Sequence, residues 1–439
     1  MTASAPKSGW RSAIWLGADR AGLILASLIS QAVIVRYLGP SVFGELSFVL
    51  AWVSILIPIA QAGTGSWIVR ALLEKPSDEW PILKSAMTWR LVGSLIGVLF
   101  GVSLWLILES DRGHSMTVLL LFAAQVFTVF QVADFYFQST MDSSLLVRVR
   151  LGVVMLFALL KCVVAINQAG IDLLIGLYAV EAVALGLAGM WSYFRARGRV
   201  LRPGVGSPWV DWFRVRSGWL MASSLAEVIY LKIDIIMLER MRGIEEVGTY
   251  SVAARLSEVW YAVPVLIMAA WFPRIWESRS SENDWNVAIQ RSLDGLLALA
   301  LVLAIVMQFA AGFVVTTIFG SEVAESAAIL TVHIWASIFI FMRAVFSRWL
   351  IAEDLPRFSL ITHVAGAVVN VGLNLWWIPS YGALGAAYAT LISYAFASWI
   401  TLYLHPRTRP MAHMMARSIC LPLRWSALRA YWNEWRRPA

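Results

Sequence analysis

Long apolar runs alternate with short polar connections from Ile14 to Leu404. About twelve of these runs approach twenty residues, the length at which a helix rising 1.5 Å per residue crosses ~30 Å of hydrocarbon. The spacing predicts helices over 14–35, 43–62, 88–108, 117–137, 145–166, 173–194, 219–237, 249–272, 293–319, 327–350, 358–377 and 383–404. Helix breakers mark the joins, at Gly39-Pro40, Lys75-Pro76, Gly170, Pro203-Gly204, Pro356 and Pro379. The expected fold is an all-α integral membrane protein of about twelve transmembrane helices.

Charge follows the same rhythm. Alternate connections carry Arg70, Lys75 and Lys84, then Arg148 and Arg150, then Arg195, Arg197, Arg199, Arg202, Arg214 and Arg216, then Arg274, Arg279 and Arg291, then Arg357. The intervening ones hold only Arg36, Arg112, Arg240 and Arg242, the last two beside Glu239, Glu245 and Glu246. Because Lys and Arg are retained in cytoplasmic loops, both termini are expected in the cytoplasm and the helix count is expected to be even. The longest basic connection, 195–216, reads as a cytoplasmic linker between two six-helix lobes, 1–194 and 217–404, around a central cavity. A basic, Trp-rich cytoplasmic tail, 405–439, follows. There Trp425, Leu428, Trp432 and Trp435 recur at helical spacing, as in a helix lying in the interface; a frayed basic end is the competing reading.

Composition sharpens this picture. With 59% hydrophobic and 14% charged residues, the 439-residue chain is too apolar for a soluble domain. Its net charge of +8 sits in loops and tail, not on one module, which points to anionic lipid headgroups and away from nucleic acid. Cys162 and Cys420 are too few and too separated for a disulfide framework or a metal cluster. Residues Met1 to Trp10 lack the features of a cleaved signal, so the first apolar run is expected to remain a helix. No phosphate-binding loop, dinucleotide fingerprint or zinc motif occurs, which argues against an ATP-driven pump, an enzyme or a cofactor.

A faint repeat links the halves. Gly39, Gly44 and Ser47 after the first helix match Gly243, Gly248 and Ser251 after the seventh in spacing and position. Duplicated halves of this kind are common in transporters.

Polar residues inside the apolar runs need a reason, since a charge at mid-membrane costs about 2.5 to 3.5 kcal/mol. They form one-sided stripes: Arg20, Ser27 and Gln31; Ser47, Ser54 and Gln61; Thr128, Gln131, Asp134 and Gln138; Glu227, Tyr230 and Asp234; His363, Asn370 and Asn374. Such faces suit a hydrated cavity. Each also has a structural reading. Arg255 and Glu258 are spaced for an intrahelical ion pair, Asp19 and Arg20 lie close enough to a helix end to snorkel, and Asn370 and Asn374 can fasten helices. His333 and His363 read first as satisfied core residues. Lys161 has no acid near it on its own helix, which makes it a cavity candidate.

Three segments together resemble the polysaccharide flippases of the multidrug/oligosaccharidyl-lipid/polysaccharide exporter superfamily. They are Val35 to Gly44, Ile233-Asp234 with Val247 to Ala254, and Asn374 to Gly385. The resemblance implies a Wzx-type flippase. Such a protein moves undecaprenyl-pyrophosphate-linked oligosaccharide from the cytoplasmic to the periplasmic leaflet of a bacterial inner membrane by alternating access. O-antigen, capsule or exopolysaccharide would be the product, and membrane lipids, a polymerase and a chain-length regulator would be its partners. It places Asp234 at the family's acidic position and Gly39, Gly44, Gly248, Gly382 and Gly385 at its turns. On residue chemistry, and not by motif, Arg20, Lys161, Arg255 and Arg343 are the cations for a pyrophosphate. Gln31, Gln131, Asn370 and Asn374 are the neutral cavity candidates, and Asp234, Glu227, Glu258 and Asp134 the candidates for ion coupling. A cation-coupled drug antiporter of the same superfamily is the first alternative. A glycan polymerase or ligase ranks lower, because the predicted outer loops are short, and a structural scaffold would leave the polar stripes unexplained.

Overall fold

Apolar runs without period-two alternation have one way to satisfy their backbone in lipid, the α-helix. The computed structural model describes residues 8–109, 113–140, 143–204, 206–421 and 424, and among them it contains helices and no strand. Arg112, Leu423 and the Trp425, Leu428, Trp432 and Trp435 stripe lie outside the described residues. Nine helical stretches of the described residues are long and apolar enough to cross a membrane. The protein is a multi-pass α-helical membrane protein.

The chain divides into two compact units, Met1–Val252 with Thr316–Ala324, and Ala253–Val315 with Glu325–Ala439. The first unit contains α1 (Ser8–Gln61), α2 (Gly65–Glu74), α3 (Glu79–Leu108), α4 (Ser115–Ala124), α5 (Val132–Thr140), α6 (Ser144–Ile166), α7 (Ile171–Arg197) and α8 (Pro208–Arg242). Helix α1 packs on α3, α6 and α8, and α7 on α4 and α6. The predicted fourth span is not one regular helix: a 3-10 stretch, Gln125–Gln131, separates α4 from α5. With three residues per turn there, the Thr128 to Gln138 stripe does not stay on one face.

The connection 195–216, expected to be a linker between lobes, is packed within the first unit. Leu201 is buried in a core with Ile68, Met87, Phe137 and Phe213. The Thr88 hydroxyl donates to the Gly204 carbonyl at 3.0 Å and accepts from the Gly204 amide at 2.8 Å, strapping the connection to α3. From residue 208 onward the segment is already α8, capped by Ser207 and led by Pro208.

The second unit holds the end of α9 (Ile244–Glu258) from Ala253 on, then α10 (Ala262–Glu277), α11 (Glu282–Phe319) as far as Val315, α12 (Ser326–His333), α13 (Ser337–Ala352), α14 (Phe358–Ser398) and α15 (Arg409–Ile419). Met268, Ile289, Leu293, Phe341, Phe346 and Trp349 form its core. The start of the tail belongs to this core too, through Met411, Ala412 and Met415 of α15. Ser418 of α15 donates to the buried carboxylate of Asp294 at 2.6 Å, so 409–419 is a docked helix and not a frayed end.

The glycine repeat has a physical basis. Gly39 (φ 80°, ψ 173°) and Gly243 (φ 95°, ψ 174°) adopt one conformation, which a side chain would strain. Their partners five residues on meet reciprocally. A Cβ on Gly44 would collide with the Ile244 carbonyl and come 2.9 Å from the Gly248 nitrogen, and one on Gly248 would collide with the Pro40 carbonyl. The two turns thus lie backbone to backbone with approximate twofold symmetry. Gly44→Val or Gly248→Val should lower the unfolding temperature of the detergent-purified protein, with a cost on the order of 1–3 kcal/mol or more, whereas Gly17→Val, in open space, should leave it unchanged.

Two of the arginines on the side predicted to face outward have local work. Arg36 donates to the carbonyls of Thr317 and Ile318 in the last turn of α11, and Arg240 to the Leu108 carbonyl closing α3 and to Glu109. Both satisfy orphan carbonyls at helix C-termini, which explains why these positions depart from the charge rhythm.

Candidate functional site

Ionic groups buried in a membrane protein must be paired, hydrated or used. In the first unit Arg150 of α6 joins two acids from other helices, Asp19 of α1 at 3.1 Å and Asp134 of α5 in close contact. Asp19 is therefore buried and paired instead of snorkelling, and the neighbouring Arg20 is the exposed member of the two. A second guanidinium, Arg90 of α3, lies within electrostatic reach of Asp134. Arg90 is 2% exposed, sits 5.6 Å from the Phe135 ring, and its Nε and Nη1 have no hydrogen-bond partner. Sequence reasoning missed Arg90 and Arg150 because both fall near the ends of predicted spans, where a charge reads as a solvated loop residue. The one available signal was Asp134, an acid inside an apolar run that needs a cation.

Lys161 is not alone. Its ammonium lies 2.5 Å from Glu181 of α7 and 3.5 Å from the centre of the Tyr178 ring. Spacing along one helix cannot register this pair, because the neutralising acid comes from the next helix. Asp234 is buried and accepts from the Tyr250 hydroxyl and the Ile235 amide. Glu227, at the other end of the same stripe beyond Tyr230, is half-buried. Gln31 is buried with its amide on the Ser27 hydroxyl at 2.9 Å, while its Oε1 lacks a donor. Gln131, half-buried, closes the 3-10 stretch.

In the second unit Arg255 and Glu258 form the expected intrahelical pair, at a loose 3.8 Å and partly exposed. Asn370 and Asn374 are fully buried on α14 and hydrogen-bonded to each other at 3.0 Å. Asn370 also donates to Ser393 at 3.3 Å, across the kink at Gly382, so this pair fastens the two legs of α14. His333 is buried at the end of α12.

Arg343 differs from these cations. It is 7% exposed on α13, and its guanidinium meets neutral groups alone among the described residues: the Ala397 carbonyl and Thr362 hydroxyl at 3.4 Å, the His363 Nε2 in close contact, and the Phe346 ring at 5.9 Å. For His363 to accept there, its proton must sit on Nδ1 and the ring must be neutral. The structure therefore brings together Arg343 with His363, and Asn370 with Asn374. Lys161 pairs instead with Glu181, and Arg255 with Glu258.

Comparisons with known proteins agree with this architecture. The family described as "Polysaccharide biosynthesis protein" matches residues 10–279, and the MatE family matches residues 220–376. A Haloferax volcanii protein named "Probable flippase AglR" is 27% identical over 258 residues, covering 57% of this chain and 53% of the relative. Another from the same organism, "Probable low-salt glycan biosynthesis flippase Agl15", is 22% identical over 48% of this chain and 43% of its own length. The match thus spans about half the length of these curated relatives. Among solved structures, the lipid II flippase MurJ in an inward closed conformation superposes with a TM-score of 0.69 at 12% identity, covering 93% of this chain and 90% of that one. An inward-facing multidrug resistance MATE family transporter gives 0.66 at 15% identity, covering 89% and 95%. At these identities the structural likeness establishes the fold alone.

Proposed function

Because the chain belongs to the polysaccharide biosynthesis protein family, we propose that it is a flippase for lipid-linked oligosaccharide repeat units. On this reading the glycan rides on undecaprenyl diphosphate and passes from the cytoplasmic to the periplasmic leaflet of a bacterial inner membrane, by alternating access of two lobes. It supplies O-antigen, capsule or exopolysaccharide assembly, with a polymerase and a chain-length regulator downstream.

Arg343 is the observation that carries this reading. A buried guanidinium bonded to neutral acceptors keeps its charge uncompensated, which is costly in lipid. That cost is offset when a mobile anion arrives, and a diphosphate offers oxygens that match the planar fork. His363, Thr362 and the Ala397 carbonyl hold the fork in place beforehand. Arg20, exposed, and Arg255, loosely paired, are further phosphate contacts in this scheme, with Gln31, Gln131, Asn370 and Asn374 ordering the polar path. Asp234, Glu227, Glu258 and Asp134 are the coupling candidates.

The MatE match favours a second reading, a cation-coupled drug antiporter. A cationic substrate needs free carboxylates. Here Asp19, Asp134, Glu181 and Glu109 are each held by an arginine or lysine. That balance favours an anionic cargo. The test is genetic: removal of the gene from its host should make lipid-linked repeat units accumulate on the inner leaflet, and drug sensitivity should stay as it was. Normal export with heightened drug sensitivity would reverse the ranking.

A further inference from the structure

The Asp19, Arg150, Asp134 and Arg90 cluster contains one carboxylate with two possible partners. Asp134 contacts Arg150, yet Arg90 lies within its electrostatic reach and has two N–H groups, Nε and Nη1, without an acceptor. Buried donors are normally satisfied. Arg90 is fully enclosed, backed by Phe135, and cannot turn to water. Asp134 is the acid that acts on it electrostatically. Arg150 is in the opposite situation: its side chain is 24% exposed and both of its bonded partners are carboxylates. Losing Asp134 would leave it a guanidinium edge free, with Asp19 holding the other.

We infer that Asp134 is an exchangeable counter-ion, and that its move from Arg150 to Arg90 releases Arg150 to bind the diphosphate of the cargo. Arg90 acts as the positioning residue, and the cluster as a gate on a phosphate site that is masked in the state described. The inference rests on the reading that the cargo headgroup is a diphosphate. No covalent step is involved, and total charge in the cluster is conserved by the exchange: two arginines and two aspartates before and after, with the incoming phosphate taking the place of one carboxylate at Arg150.

Masking has a measurable consequence. When the binding-competent form is a minor fraction, the apparent dissociation constant rises by the inverse of that fraction. Removing the Asp134 charge abolishes the mask, and removing Arg90 takes away the alternative home of Asp134 and deepens it. With the full chain purified in detergent and farnesyl diphosphate as probe, Asp134→Asn should bind about tenfold more tightly than the unaltered protein if roughly one molecule in ten is unmasked at rest, and Arg90→Leu should bind more weakly than the unaltered protein. In the Asp134→Asn background, Arg90→Leu should have no further effect, which a merely structural role for Arg90 does not predict. Arg150→Ala should weaken binding in every background. If Arg90→Leu gives no folded protein, Arg90→Gln, which removes the charge and keeps two donors, takes its place with the same expectation.

Weaker binding in both single variants, or an Arg90 effect that persists without the Asp134 carboxylate, would overturn the exchange. Farnesol separates this from the broader reading. An unaltered protein that binds farnesol and farnesyl diphosphate equally would instead contradict the diphosphate cargo.

Discussion

Arg343→Ala should abolish export of lipid-linked repeat units while the protein stays in the membrane with its unfolding temperature unchanged or raised. The two halves of that expectation come from the same geometry. Arg343 has neutral partners, so its removal frees His363, Thr362 and the Ala397 carbonyl without stranding an opposite charge. Deleting an uncompensated buried charge removes a destabilising term, and loss of function at constant or higher stability is the signature of a site kept for use. Charge-assisted hydrogen bonds contribute about 1.5–3 kcal/mol each. Loss of a two-pronged contact therefore predicts a fall on the order of a hundredfold or more in transport. Arg343→Lys, a point charge without the fork, should fall between. Quantifying the exported polymer, the membrane level and the unfolding temperature for the three proteins checks this. Export at the normal rate in Arg343→Ala would remove Arg343 from the site.

Lys161→Ala should behave in the opposite way. It strands Glu181 in a largely buried setting, where the pair is 2.5 Å apart and the two side chains are 6% and 14% exposed. Breaking one member of a buried ion pair costs about 3–5 kcal/mol, whereas replacing both by apolar residues of similar volume is often neutral or stabilising. Lys161→Ala should therefore reduce the amount of folded protein severely. The double replacement Lys161→Met with Glu181→Leu should restore both abundance and export. If the double variant folds and does not export, Lys161 handles cargo directly and its pairing with Glu181 is only a resting state.

The fold was legible because membrane helices announce themselves by length and composition alone, and the predicted spans fall on helical backbone, although 117–137, 249–272 and 327–350 are interrupted by 3-10 segments and 383–404 ends in one. The Gly39 and Gly243 turns were legible as a spacing, and the structure supplies its cause in the reciprocal approach of Gly44 and Gly248. The ionic chemistry was legible only within single helices. Arg255 with Glu258, three residues apart, is a pair that spacing along one helix can register. Glu181 beside Lys161, Arg150 between Asp19 and Asp134, and His363 under Arg343 are bonds between helices or across kinks, which periodicity cannot register. Short helical irregularities were hidden for a different reason: the 3-10 stretch before Asp134 is mostly apolar, like the α-helices on either side of it, and carries no helix breaker. The start of the tail was misleading because its buried residues, Met411, Ala412 and Met415, are few, flanked by exposed Arg409 and Arg417 and interrupted by exposed His413.

The proposed transport is of a diphosphate-bearing lipid, carried across the bilayer on a buried cation. It is tested most directly in sealed proteoliposomes, using a prenyl-diphosphate oligosaccharide with a fluorophore on the glycan and a membrane-impermeant quencher outside. The purified protein should make the whole labelled pool quenchable, Arg343→Ala should leave the inner-leaflet fraction protected, and the same glycan on an uncharged prenyl ether should not be moved. Equal movement of the charged and uncharged lipids, or no movement of either by the unaltered protein, would contradict it.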